Sequence, residues 1–180
     1  MRKLNMEELN RVSVEKFNEL SKLPVICILD NVRSQHNIGS IFRTSDAFRV
    51  RELYLCGITA TPPNREINKS ALGATESVKW QYFSDTCAAI KSLKSKGFQI
   101  VAVEQASGSI LLEDYNPEIN DQIALVFGNE VSGVSDEVME LADACIEIPQ
   151  FGTKHSFNVS VTTAIVLYHF HIALKKKYLL

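Results

Sequence analysis

The chain has four cysteines in 180 residues, Cys27, Cys56, Cys87 and Cys145, and no two form a CxxC pair. That spacing excludes a zinc ribbon and gives no basis for a disulfide framework. Three of the four, Cys27, Cys56 and Cys145, lie in apolar, strand-like surroundings, where cysteine serves as a small hydrophobe. No apolar run is long enough to span a bilayer. The opening MRKLNMEELNRV is too acidic and polar for a secretory leader, so a cytoplasmic location is expected. A GK[ST] phosphate loop, a GxGxxG fingerprint and a GxSxG nucleophile elbow are all missing, which removes the commonest nucleotide-binding and hydrolase readings. His36, His169 and His171 have no metal-ligand spacing, and no metal is expected.

What is present describes one ordinary α/β domain. Hydrophobic residues make up 46% and charged residues 22%, as in globular proteins generally. The net charge of −2 argues against a polyanionic partner until its distribution is considered. From Arg33 to Lys69 there are six Lys/Arg and three Asp/Glu; from Glu113 to Glu147 there are ten Asp/Glu and no Lys or Arg. One surface can therefore be basic on an acidic molecule, and only the local field meets phosphate. Solvated helix faces would give the same asymmetry.

Apolar spacing predicts a helix from Met6 to Ser21, through Leu9, Val12, Phe17 and Leu20. Strands are expected at Val25–Leu29, Glu52–Cys56, Val78–Phe83, Phe98–Val103, Gln122–Phe127 and Cys145–Ile148. Helices are expected at Ile38–Phe48, Asp85–Lys96, Ser135–Leu141 and Phe157–Leu174. Strand alternating with helix implies a mostly parallel sheet with helices on both faces. Thr59–Val78 is turn-rich, with at most a short helix, and connections of that length are often functional.

Three polar motifs fall where strands end. In the first, NVRSQHNIGSIFRTSDAF, Gly39 would let a backbone approach, and Arg43 lies one turn beyond it. Arg43 could project towards a ligand or pair with Asp46 at i,i+3. Asn37 could be a helix N-cap. In the second, FGNEVSG, Gly128 and Gly133 bracket Glu130 in a tight loop suited to gripping a polar ligand or simply to turning the chain. In the third, IPQFGTKHSFNVS, Ser156 and Asn158 open a long apolar helix, with Ser156 a candidate N-cap, while Lys154 and His155 stand where a phosphate could be met or where solvent could cover them.

Together the three motifs resemble those of the SpoU/TrmH family of RNA ribose 2′-O-methyltransferases, of the knotted SPOUT class. The resemblance runs from Val25 to about Ala173. It implies a C-terminal trefoil knot, a domain over residues 25–180 behind a helical extension at 1–24, S-adenosyl-L-methionine as cofactor, and a homodimer. It implies catalytic roles for Asn37, Arg43, Glu130, Ser156 and Asn158. It places Glu104, Phe127, Gly128, Ile148, Gln150, Phe157 and Asn158 at the cofactor. RNA contacts are expected from Arg33, His36, Arg65, Lys69, Lys154 and His155. The substrate implied is tRNA, with rRNA next and a non-catalytic knotted RNA-binding module as the rival reading. The chain departs from the family pattern at Gln150 for a frequent Met, Val131 for Gly, Phe157 for Leu, Thr162-Thr163 for Ala, and Arg49 for a usual Gly.

Overall fold

In a computed structural model the described residues are 1–5, 8, 9, 12–117 and 122–178. Seven strands form one sheet: β1 Leu23–Asp30, β2 Val50–Cys56, β3 Trp80–Phe83, β4 Gln99–Val103, β5 Ile110–Leu111, β6 Ile123–Phe127 and β7 Ala144–Glu147. Their order is β3-β2-β1-β6-β4-β7-β5, and every pairing is parallel. Strands buried on both faces need continuous apolar runs, and β6, IALVF, is buried at every position.

Helices cover both faces. On one face lie α2 Gln35–Ala47, α3 Arg65–Ala71, α4 Ala74–Ser77 and α7 Val159–Tyr178, around Ile38, Ile41, Phe42, Leu167 and Phe170. On the other lie α5 Thr86–Ser95 and α6 Asp136–Leu141, around Ile90, Leu93 and Val138. Cys27 and Cys56 are buried in the sheet, and burial pushes the Cys56 thiol up to about 12. No helix of the described residues is long and apolar enough to cross a membrane.

Several elements differ from expectation. The N-terminal helix, α1, covers only Val14–Glu19, because the Ser13 side chain caps it by accepting the Lys16 amide. Leu9 and Val12, which extended the apolar spacing, are exposed, and Met6, Glu7, Asn10 and Arg11 lie outside the described residues. The Thr59–Val78 connection holds two short helices rather than at most one. Asn64 starts α3 by accepting from the Glu66 and Ile67 amides, and Leu72, at φ 50°, ends it. The two-residue β5 is too short to carry any period.

A Cβ on Gly39 would stand 2.1 Å from Ser70 Oγ and 2.2 Å from the Ile67 carbonyl oxygen, so the backbone that approaches Gly39 is that of α3. Arg49, between α2 and β2, has φ 51°. That left-handed region suits glycine and costs other residues about 1–2 kcal/mol.

Candidate active site

The loops after β6, β4 and β7 converge at the carboxyl ends of these neighbouring strands, where open parallel sheets build ligand sites. They enclose a cleft of about 770 Å³, within the range of small-molecule sites. Phe127, Gly128, Glu104, Ile148, Gln150, Phe157 and Asn158 all line it, as do Glu130 and Ser156. Val134, Met139 and Val159 add apolar surface. A flat heteroaromatic group with a polar tail suits such walls.

The loop after β6 is shaped by short-range bonds. Asn129 N donates to the Gly133 carbonyl and Gly133 N to the Asn129 carbonyl, both at 2.9 Å. The Asn129 side chain accepts from the Val131 and Ser132 amides and donates to the Asn31 carbonyl at 2.7 Å, tying the loop to the end of β1. Glu104 braces the far side, its carboxylate accepting from Val134 N at 3.0 Å and Gln105 N at 2.8 Å. Gly133 has φ 69°, and a Cβ there would stand 2.2 Å from Glu104 Oε2. Asn129 was legible only as part of the Gly128–Glu130 motif, with no role attached.

A hydrogen-bonded chain links the three motifs at the rim. Glu130 accepts from Arg33 N at 2.9 Å, Ser34 N at 3.0 Å and Asn37 Nδ2 at 2.9 Å. Asn37 Oδ1 in turn accepts from Asn158 Nδ2 at 3.1 Å. Asn37 is therefore not the N-cap of α2. Ser34 is, accepting the Asn37 amide, and this frees the Asn37 side chain for the network. Likewise Asn158, not Ser156, caps α7. Its carbonyl accepts from Thr162 N, and its side chain accepts from Ser160 N at 2.9 Å and Ser160 Oγ at 2.7 Å.

Burial pulls the Glu130 carboxyl up, but the hydrogen bonds from the Arg33 amide, the Asn37 side chain and the Ser34 amide outweigh it and hold the carboxyl below the ordinary glutamate range. A depressed folded pKa contributes stability above the unfolded value, about 4.3, and the contribution is lost as pH falls through the folded value. Glu130→Gln is thus expected to melt below wild type at pH 7, with the gap closing as pH drops below about 4.3. Thermal melts from neutral to acid pH check this, and a gap independent of pH would refute it.

Arg43 stands apart from this network. It is exposed on α2, outside the cleft lining, and among the described residues its guanidinium has no hydrogen-bond or ion-pair partner. The expected alternative, an ion pair with Asp46, is not formed; Asp46 instead accepts the Ser77 hydroxyl. His36 and Arg33 are exposed at the start of α2, and Arg65 on α3. Lys69 pairs with Glu66 at 2.7 Å. Lys154 and His155 are exposed, with the His155 carbonyl accepting from Gln105 Nε2. Among the described residues no group of three or more His, Cys, Asp or Glu could hold a metal.

Sequence reasoning gave no role to Asp30, the last residue of β1. It is buried and accepts from Thr86 Oγ1 at 2.6 Å, Asn31 Nδ2 at 2.9 Å, Ser135 N at 3.0 Å and Ser135 Oγ at 2.9 Å. It therefore fixes the starts of α5 and α6 behind the cleft. A charged residue closing an apolar strand was the available signal.

Residues 24–168 match the model of the SpoU rRNA Methylase family. The chain is similar to a tRNA (guanosine(18)-2′-O)-methyltransferase of Aquifex aeolicus, 38% identical over 80% of this chain and 67% of that protein. It is also similar to the 23S rRNA (guanosine-2′-O-)-methyltransferase RlmB of Neisseria meningitidis serogroup B, 33% identical over 88% of this chain and 62% of that protein. Among solved structures, the AdoMet-bound rRNA methyltransferase from Sinorhizobium meliloti superposes with a TM-score of 0.77 at 28% identity, covering 86% of this chain and 61% of that one. The chain thus spans about two thirds of the length of these relatives.

Proposed function

The chain belongs to the SpoU rRNA methylase family, and on that premise we propose that it methylates a ribose 2′-hydroxyl of RNA using S-adenosyl-L-methionine. The observation that carries this reading is the chain Glu130–Asn37–Asn158, which joins all three motifs at the rim of a cleft lined by every expected cofactor residue. The cleft fits the cofactor in size and character: Phe127, Ile148 and Phe157 offer apolar surface, and Glu104 and Gln150 polar edges. Bound there, S-adenosylmethionine supplies a methyl group on a sulfonium, ready for in-line displacement.

The residues supply binding and orientation, which convert a slow bimolecular encounter into a positioned one. Asn158 borders both cofactor and ribose. Asn37, Glu130 and Ser156 hold the rim in register. Arg43 grips the target hydroxyl and an adjacent phosphate through its planar fork. The proton of the hydroxyl passes to the substrate phosphate or to solvent hydroxide. Arg33, His36, Arg65, Lys69, Lys154 and His155 meet the surrounding RNA backbone. tRNA is the proposed substrate and rRNA the alternative, in keeping with the two relatives' names. Both would be met in the cytoplasm. In this reading residues 25–180 form the methyltransferase domain, with a trefoil knot near its C-terminal end, and residues 1–24 are an extension.

The direct test incubates the protein with methyl-labelled cofactor and either unmodified tRNA or 23S rRNA transcripts. Mass spectrometry should find one 2′-O-methyl nucleoside and S-adenosylhomocysteine in equal amount. Cofactor binding without transfer to any RNA would favour the non-catalytic module.

A homodimer belongs to the same reading. Helix α7 buries Val159, Thr163, Val166, Leu167, Phe170 and Leu174 against its own sheet. Val161, Tyr168 and Ile172 are 45%, 58% and 41% exposed and, with the half-buried Ile165, form an apolar stripe spaced by three and four residues. An apolar stripe on each side of a helix calls for two covers. The second cover is a second copy, bringing Arg43 of each chain towards its neighbour's cleft. Light scattering at micromolar concentration should give twice the chain mass, and Tyr168→Asp with Ile172→Asp should halve it. A wild-type monomer would overturn this.

A further inference from the structure

At the end of the sheet opposite the cleft, three neighbouring strands each begin immediately after a basic residue. Lys22 precedes β1, Arg49 precedes β2 and Lys79 precedes β3. The sheet order sets the three strands side by side; Leu23 pairs with Val50 and Trp80 with Leu53, so Lys22 lies beside Arg49, and Lys79 lies further along β2, beside Glu52. Backbone bonds fix the arrangement, with Leu23 N donating to the Arg49 carbonyl at 2.8 Å and Leu53 N to the Lys79 carbonyl at 2.9 Å. The Lys22 ammonium lies 3.3 Å from the centre of the Phe17 ring. Burial lowers its pKa, repulsion from Arg49 and Lys79 lowers it further, and Asp46 pulls the other way.

Lys22 also donates to the Phe17 carbonyl at 2.5 Å, which ties it to α1, whereas among the described residues the Arg49 and Lys79 side chains make no hydrogen bond. Among the described residues none of the three cations has a salt bridge. The nearby acid, Asp46, accepts from Ser77. Arg49 also occupies the left-handed conformation that glycine would adopt freely. Three cations are thus held against their own repulsion, one of them on an unfavourable backbone. Such a patch is stabilised when it meets a polyanion.

The patch also connects to the candidate site. Helix α2 runs from the rim of the cleft to Arg49. His36, Ser40, Arg43 and Ala47 follow one another on it at spacings of four, three and four residues, so they share a face that carries no acid. At 1.5 Å per residue, the thirteen residues of α2 span about 20 Å.

We propose that Lys22, Arg49 and Lys79 form a second docking point for the RNA backbone, at the amino ends of β1, β2 and β3, reached along α2 from the methylation site. This rests on the RNA reading above and extends it to phosphates at the end of α2 far from the cleft rim, about 20 Å along the helix. Binding there anchors a folded RNA without reading its sequence.

The test is the affinity for unmodified tRNA and for 23S rRNA transcripts, from 50 to 200 mM salt, with cofactor binding followed by calorimetry in parallel. The variant combines Lys22→Gln, Arg49→Gly and Lys79→Gln. Arg49→Gly relieves the backbone, so it removes the charge without threatening the fold. The double variant Arg49→Gly, Lys79→Gln leaves the packing of Lys22 on Phe17 intact. Removing one cation that neutralises a phosphate lowers the slope of log affinity against log salt by about one. The triple variant should therefore lose about two to three from the slope and the double variant about one to two, with cofactor affinity unchanged. Lys91→Gln, an equivalent charge on α5, should change neither. Wild-type affinity and slope in both patch variants would overturn the second docking point while leaving the methyltransferase reading in place. Failure of the wild-type protein to bind any RNA would overturn both. Vesicles with anionic lipid serve as the competing polyanion, and patch-dependent binding to them alone would also overturn the inference.

Discussion

Arg43→Ala is expected to reduce methyl transfer by on the order of 10²–10³-fold while leaving cofactor affinity nearly intact. Arg43 lies on α2, outside the lining of the cleft, and its side chain makes no bond to any of the loops that form it. Its removal leaves the walls around Phe127, Ile148 and Phe157 untouched. Its partners in the proposed reaction are the ribose and a phosphate, so its loss is felt in the transition state and lowers kcat rather than ground-state binding. Arg43→Lys should not rescue, because an ammonium is a point charge without the fork that holds two oxygens. Asn158→Ala should behave differently and harm both quantities, since Asn158 lines the cleft, bonds to Asn37 and caps α7. Calorimetry of cofactor binding paired with single-turnover methylation of unmodified tRNA separates these outcomes. Near-wild-type turnover by Arg43→Ala would refute the assignment. Loss of cofactor binding instead would place Arg43 in the cofactor pocket or in folding.

Much of this site was legible because its polar residues sit at strand ends, and the strands themselves are short apolar runs bounded by turn chemistry. All seven expected cofactor residues line one cleft although they come from three separated segments, Glu104, Phe127–Gly128 and Ile148–Asn158. Less legible was how polar groups divide the work. Capping preference alone made Asn37 and Ser156 candidates, yet Ser34 and Asn158 cap. Local sequence cannot show that Glu130, ninety-three residues from Asn37, bonds to its side chain. Nor could spacing show that Gly39 faces a helix inside the connection read as turn-rich, since that approach joins Gly39 to Ile67, Ser70 and Ala71, about thirty residues along the chain. Asp30 was missed for a related reason: its partners, Thr86 and Ser135, begin helices far along the chain.

Gly128→Ala should be the most damaging small substitution at the cofactor cleft. Gly128 follows β6, and a Cβ there would stand 2.1 Å from the Gly133 carbonyl carbon, 2.1 Å from Val134 N and 2.4 Å from the Gly133 oxygen. All three are backbone atoms, so no rotamer change relieves the clash. The opposing backbone cannot retreat cheaply. Gly133 is bonded twice to Asn129, and Val134 N is held by Glu104. The added methyl must therefore displace the loop that forms one wall of the cleft. Overpacking of this kind costs about 1–3 kcal/mol of stability. Misplacing a binding wall by about 1 Å can cost on the order of 10²-fold in function. Gly152→Ala is the matched comparison, because a Cβ at Gly152 meets nothing within 4 Å. Calorimetric cofactor titration with thermal melts of both variants should show Gly128→Ala weakened on both measures and Gly152→Ala unchanged. Wild-type cofactor affinity in Gly128→Ala would mean that the loop after β6 does not form the cofactor wall, and the position of the cofactor would have to move towards β7.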